Sequence, residues 1–450
     1  MRVLVVQTNT YPLLGPTPLG AALVAMRLEQ AGHDVRFVDL MYEERPTETA
    51  LRAASEHAPE LCCFSIRNRD NMSPSRYFDP IPSIGELVRE VKAATGAPAL
   101  IGGAAFTTFP AQILEAVAAD YGLAGDDLEP IAHLVESLAA GEADLETPGL
   151  VWRDDAGAIH QNPYRLVGYA GVRFDCHRFL DFDRYRKGYW QAAVVTRTGC
   201  PEQCLYCDTH VTFGDRFRLR DPALVAEELL ALKRTGKVRS VFLVDDGFNR
   251  PLDHAKEVLR EILRQGAQLT LQSIFDPGEA DREFFELFRR AGGLMVTVFA
   301  ESLSDPVLAA LKKPFGYAEI ERDCAELRRA GIAAMIMPTF GSPGETRETV
   351  DETLARLPRL KASYVDFSIG WRLQPKTGLF ARAVEEGLVE ADDDLFAPHF
   401  YVSPRVEASW IEERIRRYRR RHPLRHLRMA PMIWRTVTER PWRRGPELPA

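Results

Sequence analysis

The stretch Ala192-Ala-Val-Val-Thr196-Arg-Thr-Gly199-Cys200-Pro-Glu-Gln-Cys204-Leu-Tyr206-Cys207 decides how this chain is read. Its first five residues, apolar and β-branched, have the pattern of a buried strand. Gly199 then permits a backbone excursion, and three thiols crowd into the eight residues that follow. Toward the C-terminus five more runs of this kind recur at Ser240–Val244, Leu269–Ser273, Met295–Phe299, Ala333–Thr339 and Tyr364–Ile369. Helical patterns at Pro222–Thr235, Pro251–Gln265, Asp281–Ala291, Tyr317–Ala330 and Glu345–Leu357 separate them. Six βα units are too few for an eightfold barrel and fit a partial (βα)6 barrel, whose ligands gather at the carboxyl ends of the strands. The cysteines stand at such an end.

Toward the N-terminus a second α/β series appears. Arg2–Gln7, Val35–Asp39, Leu61–Ser65 and Ala99–Gly102 read as strands, with helices at Thr17–Gly32, Ile84–Thr95 and Gln112–Ala119. Strands alternating with helices predict a doubly wound, Rossmann-like (flavodoxin-like) parallel sheet. Pro148–Gln161 reads as a hairpin turning at Asp155–Gly157, and Asn162–Trp190 as an aromatic, basic linker along the surface. The expected division is 1–161 for the first α/β domain, 162–190 for the linker, 191–371 for the partial barrel and 372–450 for a small, mainly helical region.

Composition narrows the function classes. The 450 residues are 46% hydrophobic and 27% charged, as in a globular chain with a substantial core. A net charge of −7 gives no global positive field for nucleic acid or an anionic membrane. Seven thinly spread cysteines without a secretory leader do not read as a disulfide framework, and no apolar run reaches the length of a membrane span. The expectation is a soluble, cytoplasmic protein with a small-molecule substrate and no membrane partner, and composition does not point to nucleic acid. From Ile411 onward twelve arginines face four glutamates, an excess of eight positive charges on a body at −15. That segment reads as a helix face pairing with the acidic body, or as a site for nucleic acid or an acidic partner.

Cys200, Cys204 and Cys207, at spacings of four and three, can converge on one centre. Three readings stay open on the residues alone: three structural thiols, a Cys3His zinc site completed by His210 in a nucleic-acid-binding protein, or an iron–sulfur cubane with one iron left open for an external ligand. The pattern Cys-x3-Cys-x2-Cys, with Tyr206 before the last cysteine and six βα units around it, resembles the radical S-adenosylmethionine (SAM) superfamily. The resemblance implies a [4Fe–4S] cluster on the three cysteines, SAM chelating the open iron, and reductive cleavage to a 5′-deoxyadenosyl radical. It places Asp245 and Asn249, in Val244-Asp-Asp-Gly-Phe-Asn249-Arg-Pro251, near the ribose or substrate. It also makes Glu301, in Phe299-Ala-Glu-Ser-Leu303, the acceptor for SAM, although Ala300 and Leu303 stand where glycines are usual. Gly341, in Gly341-Ser-Pro-Gly-Glu345-Thr346, is placed beside the adenine, with Glu345 and Thr346 only starting a helix. Tyr206 joins this cofactor set. Gln272, and more weakly Ser273 and Arg372, are further candidates for the pocket.

The N-terminal segments Thr17-Pro-Leu-Gly20, Cys62-Cys-Phe-Ser65, Gly102-Gly-Ala-Ala-Phe106 and Pro148-Gly-Leu-Val-Trp152 are similar to the cobalamin-binding domain fused to one branch of that superfamily. Gly102 and Gly103 would admit the corrin edge, and Arg67 would reach its lower face. The segment that supplies an axial histidine elsewhere is absent, so cobalamin would bind base-off without a protein nitrogen ligand. The resemblance implies methylation of an unactivated carbon of a small molecule, with methylcobalamin holding the methyl group and an electron donor such as flavodoxin or ferredoxin. The alternative is a radical cyclisation, rearrangement or oxidation on the same architecture.

Overall fold

The computed structural model describes residues 1–11, 17–74, 77–186 and 191–423. Trp190, at the end of the expected linker, and the arginines from Arg425 onward lie outside them. Two sheets dominate. The first holds β1 (Arg2–Gln7), β2 (Asp34–Asp39), β3 (Leu61–Ser65), β4 (Ala99–Gly102), β5 (Tyr121–Leu123), β6 (Leu150–Arg153) and β7 (Ile159–Gln161), in the spatial order 2-1-3-4-5-6-7. Its first five strands are parallel, and β6 and β7 add antiparallel. The expected hairpin therefore forms and extends the sheet. The order reverses between β1 and β3, the switch point where open α/β sheets bind ligands.

The second sheet holds β8 (Ala192–Val194), β9 (Ser240–Leu243), β10 (Thr270–Phe275), β11 (Gly293–Val298), β12 (Ala333–Ile336) and β13 (Tyr364–Val365). All neighbours are parallel and follow chain order, so the sheet walks one way round and stays open between β8 and β13. Alternation assigns the two faces. Ala192, Val194, Val241, Leu243, Leu271, Phe275, Val296 and Val298 pack into one apolar cluster with the helices, including Phe284 and Phe288. Gln272, opposite Phe242 and Met295, lies on the inner face.

Two contacts lock the sheets together. The edge strand β8 leaves backbone donors unpaired, and the amide of Ala193 donates to the Thr17 hydroxyl at 3.0 Å. At the other end Arg372, fully buried, donates to Asp70 at 2.9 Å and to the carbonyls of Leu373 and Leu395. This corrects the expectation for Arg372: its guanidinium fastens the C-terminal region to the first sheet and does not face the pocket. Leu373, Leu379, Ala383, Leu395 and Tyr401 accordingly share one apolar cluster with β3 and β4.

The linker also differs from expectation. Phe174, Cys176, Leu180 and Phe182 enter the core, and the Tyr185 hydroxyl donates to Asp39 at 2.7 Å. An irregular path, one 3-10 turn at Cys176–Phe179 and one short helix at Phe182–Tyr185, hides this burial from periodicity. The described part of the basic segment, helix Ala408–Arg421, pairs with the body: Arg414 with Asp351 at 2.5 Å and Arg419 with Asp366 at 3.2 Å.

Candidate functional site

The cysteine loop leaves β8 through Gly199, whose φ is +74° and whose Cβ, if present, would run into the carbonyl of Arg216. Arg197 holds the loop from below. Its buried guanidinium donates to the carbonyls of Gly199 (2.7 Å), Asp246 (2.5 Å), Gly247 (2.8 Å) and Arg250. From the side, the amide of Cys200 donates to Gly214 and that of Leu205 to Leu311, each at 3.0 Å, while Leu205 accepts from the amide of Leu379 at 2.7 Å. All three cysteines are free and half-buried. Burial pushes the Cys200 thiol up, that of Cys204 to about 11 and that of Cys207 to about 12. Iron must therefore displace three protons on binding.

Three thiols on one loop are the soft donors that a cubane takes. A cubane takes one thiolate per iron, so its ligands stand farther apart than those of one metal ion. Among the described residues no three His, Cys, Asp or Glu side chains stand close enough to hold one ion. His210 Nε2 lies instead 3.2 Å from the Lys376 carbonyl oxygen. His210 in this position does not favour the Cys3His zinc reading.

Beside the loop lies a buried polar knot. The Tyr206 hydroxyl donates to Glu301 Oε1, and Lys313 Nζ stands 3.0 Å from each Glu301 oxygen and 3.2 Å from the Tyr206 oxygen. The Tyr206 ring packs on Trp371 at 4.1 Å between centroids, and Trp371 Nε1 donates to Ser342 at 3.0 Å. The ends of β11, β12 and β13 are thus joined around one point. Burial, then Glu301, holds the Tyr206 hydroxyl well above its ordinary range. Asp276, just past β10, is raised to about 6, chiefly by burial, against the pull of Lys313 and Arg250. Sequence reading missed Lys313, Asp276 and Arg197. Lys312-Lys313 reads as a solvated pair, and nothing in the pattern marks which of the two turns inward.

Other expected residues sit differently. Asp245 accepts from the amide and hydroxyl of Thr196 (2.7 and 2.5 Å) and from the Arg197 amide (3.2 Å), so it ties β8 to β9. Asn249 is spent on both backbone groups of Asp276, at 2.7 and 2.9 Å. The Gly341 amide is taken by Glu345 and its carbonyl by the Ser403 amide at 2.8 Å, with Val402 packed over it. These three thus make internal hydrogen bonds, and Asp245 also lines the cavity described below. Ala300 and Leu303, in place of glycines, fill the core. Gln272 keeps a buried Oε1 with no protein partner, an orphaned acceptor on the inner face of the barrel sheet.

A cavity of about 490 Å3 lies over the carboxyl ends of β1, β3, β4 and β5. Its lining combines apolar Val5, Leu23, Val24, Cys63, Leu100 and Ile131 with Arg67, Asn68, Gly102 and Gly103. From there it continues to Ala193, Val195, Thr198 and Gly199, the residue before Cys200. Its lining includes no histidine among the described residues, which suits a cobalamin lacking a protein nitrogen ligand. Arg67 is exposed, but to this enclosure, and desolvation lowers its pKa. The glycines, which line the cavity, also admit the protein's own backbone. A Cβ on Gly103, where φ is +107°, would lie 2.5 Å from the Ile66 carbonyl, and one on Gly102 3.2 Å from that of Leu123. They let the protein's own loops close together beneath the cavity.

Comparison with known proteins agrees with both halves. The family model described as the Radical SAM superfamily matches residues 194–357, and that of the B12 binding domain matches residues 13–135. The chain is 25% identical over 441 residues to the tryptophan 2-C-methyltransferase of Streptomyces laurentii, covering 84% of this chain and 73% of that one. Among solved structures, the radical SAM methyltransferase TsrM from Kitasatospora setae, with tryptophan and a SAM analogue bound, superposes with a TM-score of 0.77. It is 26% identical, over 86% of this chain and 76% of that one. The same enzyme with cobalamin and a [4Fe–4S] cluster superposes with a TM-score of 0.76 at 25% identity, over 91% and 84%.

Proposed function

The chain belongs to the radical SAM superfamily, in the branch with an N-terminal B12-binding domain, and from that premise we propose that it methylates a carbon of a small molecule, using cobalamin, SAM and a [4Fe–4S] cluster. The observation that carries this reading is the continuous cavity from the carboxyl ends of β1, β3, β4 and β5 to Gly199. Two cofactors that act on one substrate need such a shared space. When bound, the cluster supplies the electron that splits SAM, and cobalamin supplies the methyl group.

The chain's own residues do the holding and the excluding. Cys200, Cys204 and Cys207 would carry the cluster, and Arg197 fixes the loop that presents them. Glu301, Tyr206 and Gln272 would hold SAM, and Arg67, which lines the cavity, would face cobalamin. Trp371, packed on Tyr206 and bonded to Ser342, would help to exclude water from the knot at Glu301. The electron donor would be a small carrier such as flavodoxin or ferredoxin, and the compartment the cytoplasm. Among the described residues no helix is long and apolar enough to cross a membrane.

Anaerobic reconstitution tests the reading. We expect about four irons and one cobalamin per chain, with iron but not cobalamin lost in Cys207→Ala. Protein that binds one zinc and no cobalamin would overturn it.

A further inference from the structure

Four arginines are buried among the described residues: Arg197, Arg220, Arg250 and Arg372. Three of them have carboxylate partners. Arg220 pairs with Glu228 at 2.7 Å, Arg250 with Glu202 at 2.6 Å and Glu279 at 2.9 Å, and Arg372 with Asp70 at 2.9 Å. Arg197, only 2% exposed, is the exception. Its guanidinium meets four main-chain carbonyls and the face of Phe217, 4.5 Å from the ring centroid. Asp246, whose carbonyl it holds, turns its carboxyl instead to the Thr209 hydroxyl at 3.1 Å. Carbonyl dipoles satisfy the hydrogen bonds of a guanidinium but leave its charge in place, and a charge buried without a counter-charge is costly.

A source for the missing anion lies close by. Arg197 holds the carbonyl of Gly199, the residue before Cys200, and the Cys207 thiol bonds to the same Thr209 hydroxyl at 3.2 Å. As thiols these cysteines are neutral, and iron takes them as thiolates. A [4Fe–4S] core on three thiolates is an anion, and reduction by one electron makes it more negative. A cation fixed in a dry setting beside it stabilises the reduced form more than the oxidised one.

We propose that Arg197 is the buried counter-charge of the cluster, a positioning residue that raises the reduction potential of the centre on Cys200, Cys204 and Cys207. The inference rests on the radical SAM reading. A higher potential lets a milder electron carrier load the cluster.

Two variants of the reconstituted holoprotein separate the charge from the hydrogen bonds, with retained cobalamin as the sign of a folded chain. Arg197→Lys keeps the charge and gives up the planar fork, whereas Arg197→Gln gives up both and keeps two N–H donors. The readout is the electron paramagnetic resonance signal of the reduced cluster during an anaerobic potentiometric titration. At the midpoint of the parent we expect the ratio of reduced to oxidised cluster to fall about tenfold in Arg197→Gln, a shift of about 59 mV to more negative potential. In Arg197→Lys the ratio should stay within about threefold of the parent. Should Arg197→Gln hold no iron, Arg197→Lys with its iron and the parent's potential supports the same conclusion. A Gln variant that titrates with the parent, Lys and Gln variants shifted alike, or a Lys variant without iron would overturn the role of the charge and leave Arg197 a hydrogen-bonding brace. Parent holoprotein that takes up no iron would instead overturn the radical SAM reading beneath it.

Discussion

Gly199 and Gly103 bring the two halves of the molecule within reach of separate tests. Each has a left-handed φ, and each would drive a Cβ into a backbone carbonyl, of Arg216 and of Ile66 respectively. Gly199→Ala should leave the chain with its cobalamin and without most of its iron. Gly103→Ala should keep the iron and lose cobalamin. Iron assay and the absorbance of retained cobalamin check both, and loss of both cofactors in either variant would contradict independent seats. At this scale the sequence was informative where chemistry depends on residue type and spacing, as in the three cysteines. It was uninformative where chemistry depends on which way a side chain turns. Asp245 and Asn249 look like ligand contacts in a motif, yet in the fold they also bond to Thr196, Arg197 and Asp276. Lys313 looks like a surface lysine and is buried.

Among the elements, the turn from Phe340 to Thr346 shows how a motif can serve structure. Glu345 is fully buried, and its Oε2 accepts from the amides of Gly341 and Ser342. Burial outweighs those two bonds and pushes its carboxyl up to about 7. A carboxyl whose folded value lies above its unfolded one favours the folded state when protonated. Its contribution is complete below about pH 4.5 and is lost as pH rises through about 7, a change of about 3 kcal/mol. Glu345→Gln keeps an acceptor for both amides and cannot ionise. Its stability relative to the parent should therefore improve by about 3 kcal/mol between pH 4.5 and pH 8, read from urea midpoints at both pH values. An unchanged difference would remove Glu345 from the pH response. Strands and helices of both α/β series were legible because alternation and apolar runs follow directly from burial. The short strand β5 and helices Pro46–His57 and Glu129–Ala139 were not, since their apolar faces are narrow or brief. The linker was misread as surface because irregular backbone leaves no period to detect.

Over the whole molecule, the arrangement of the two sheets matters more than either alone. Thr17 satisfies the open edge of β8, Arg372 and Asp70 close the opposite side, and the linker threads its aromatic side chains into the core between them. Pattern could suggest two α/β units in series, but not that one cavity would join them, because that depends on contacts hundreds of residues apart. The cavity makes a claim that needs no knowledge of the substrate: a methyl group from SAM should reach cobalamin on this protein. The most direct measurement is anaerobic incubation of the reconstituted protein with SAM labelled as the trideuteromethyl compound, under reducing conditions, followed by mass spectrometry of the extracted cobalamin. The account predicts that the extracted cobalamin carries the labelled methyl group. Cobalamin that is retained with the cluster intact and never acquires the label would contradict it.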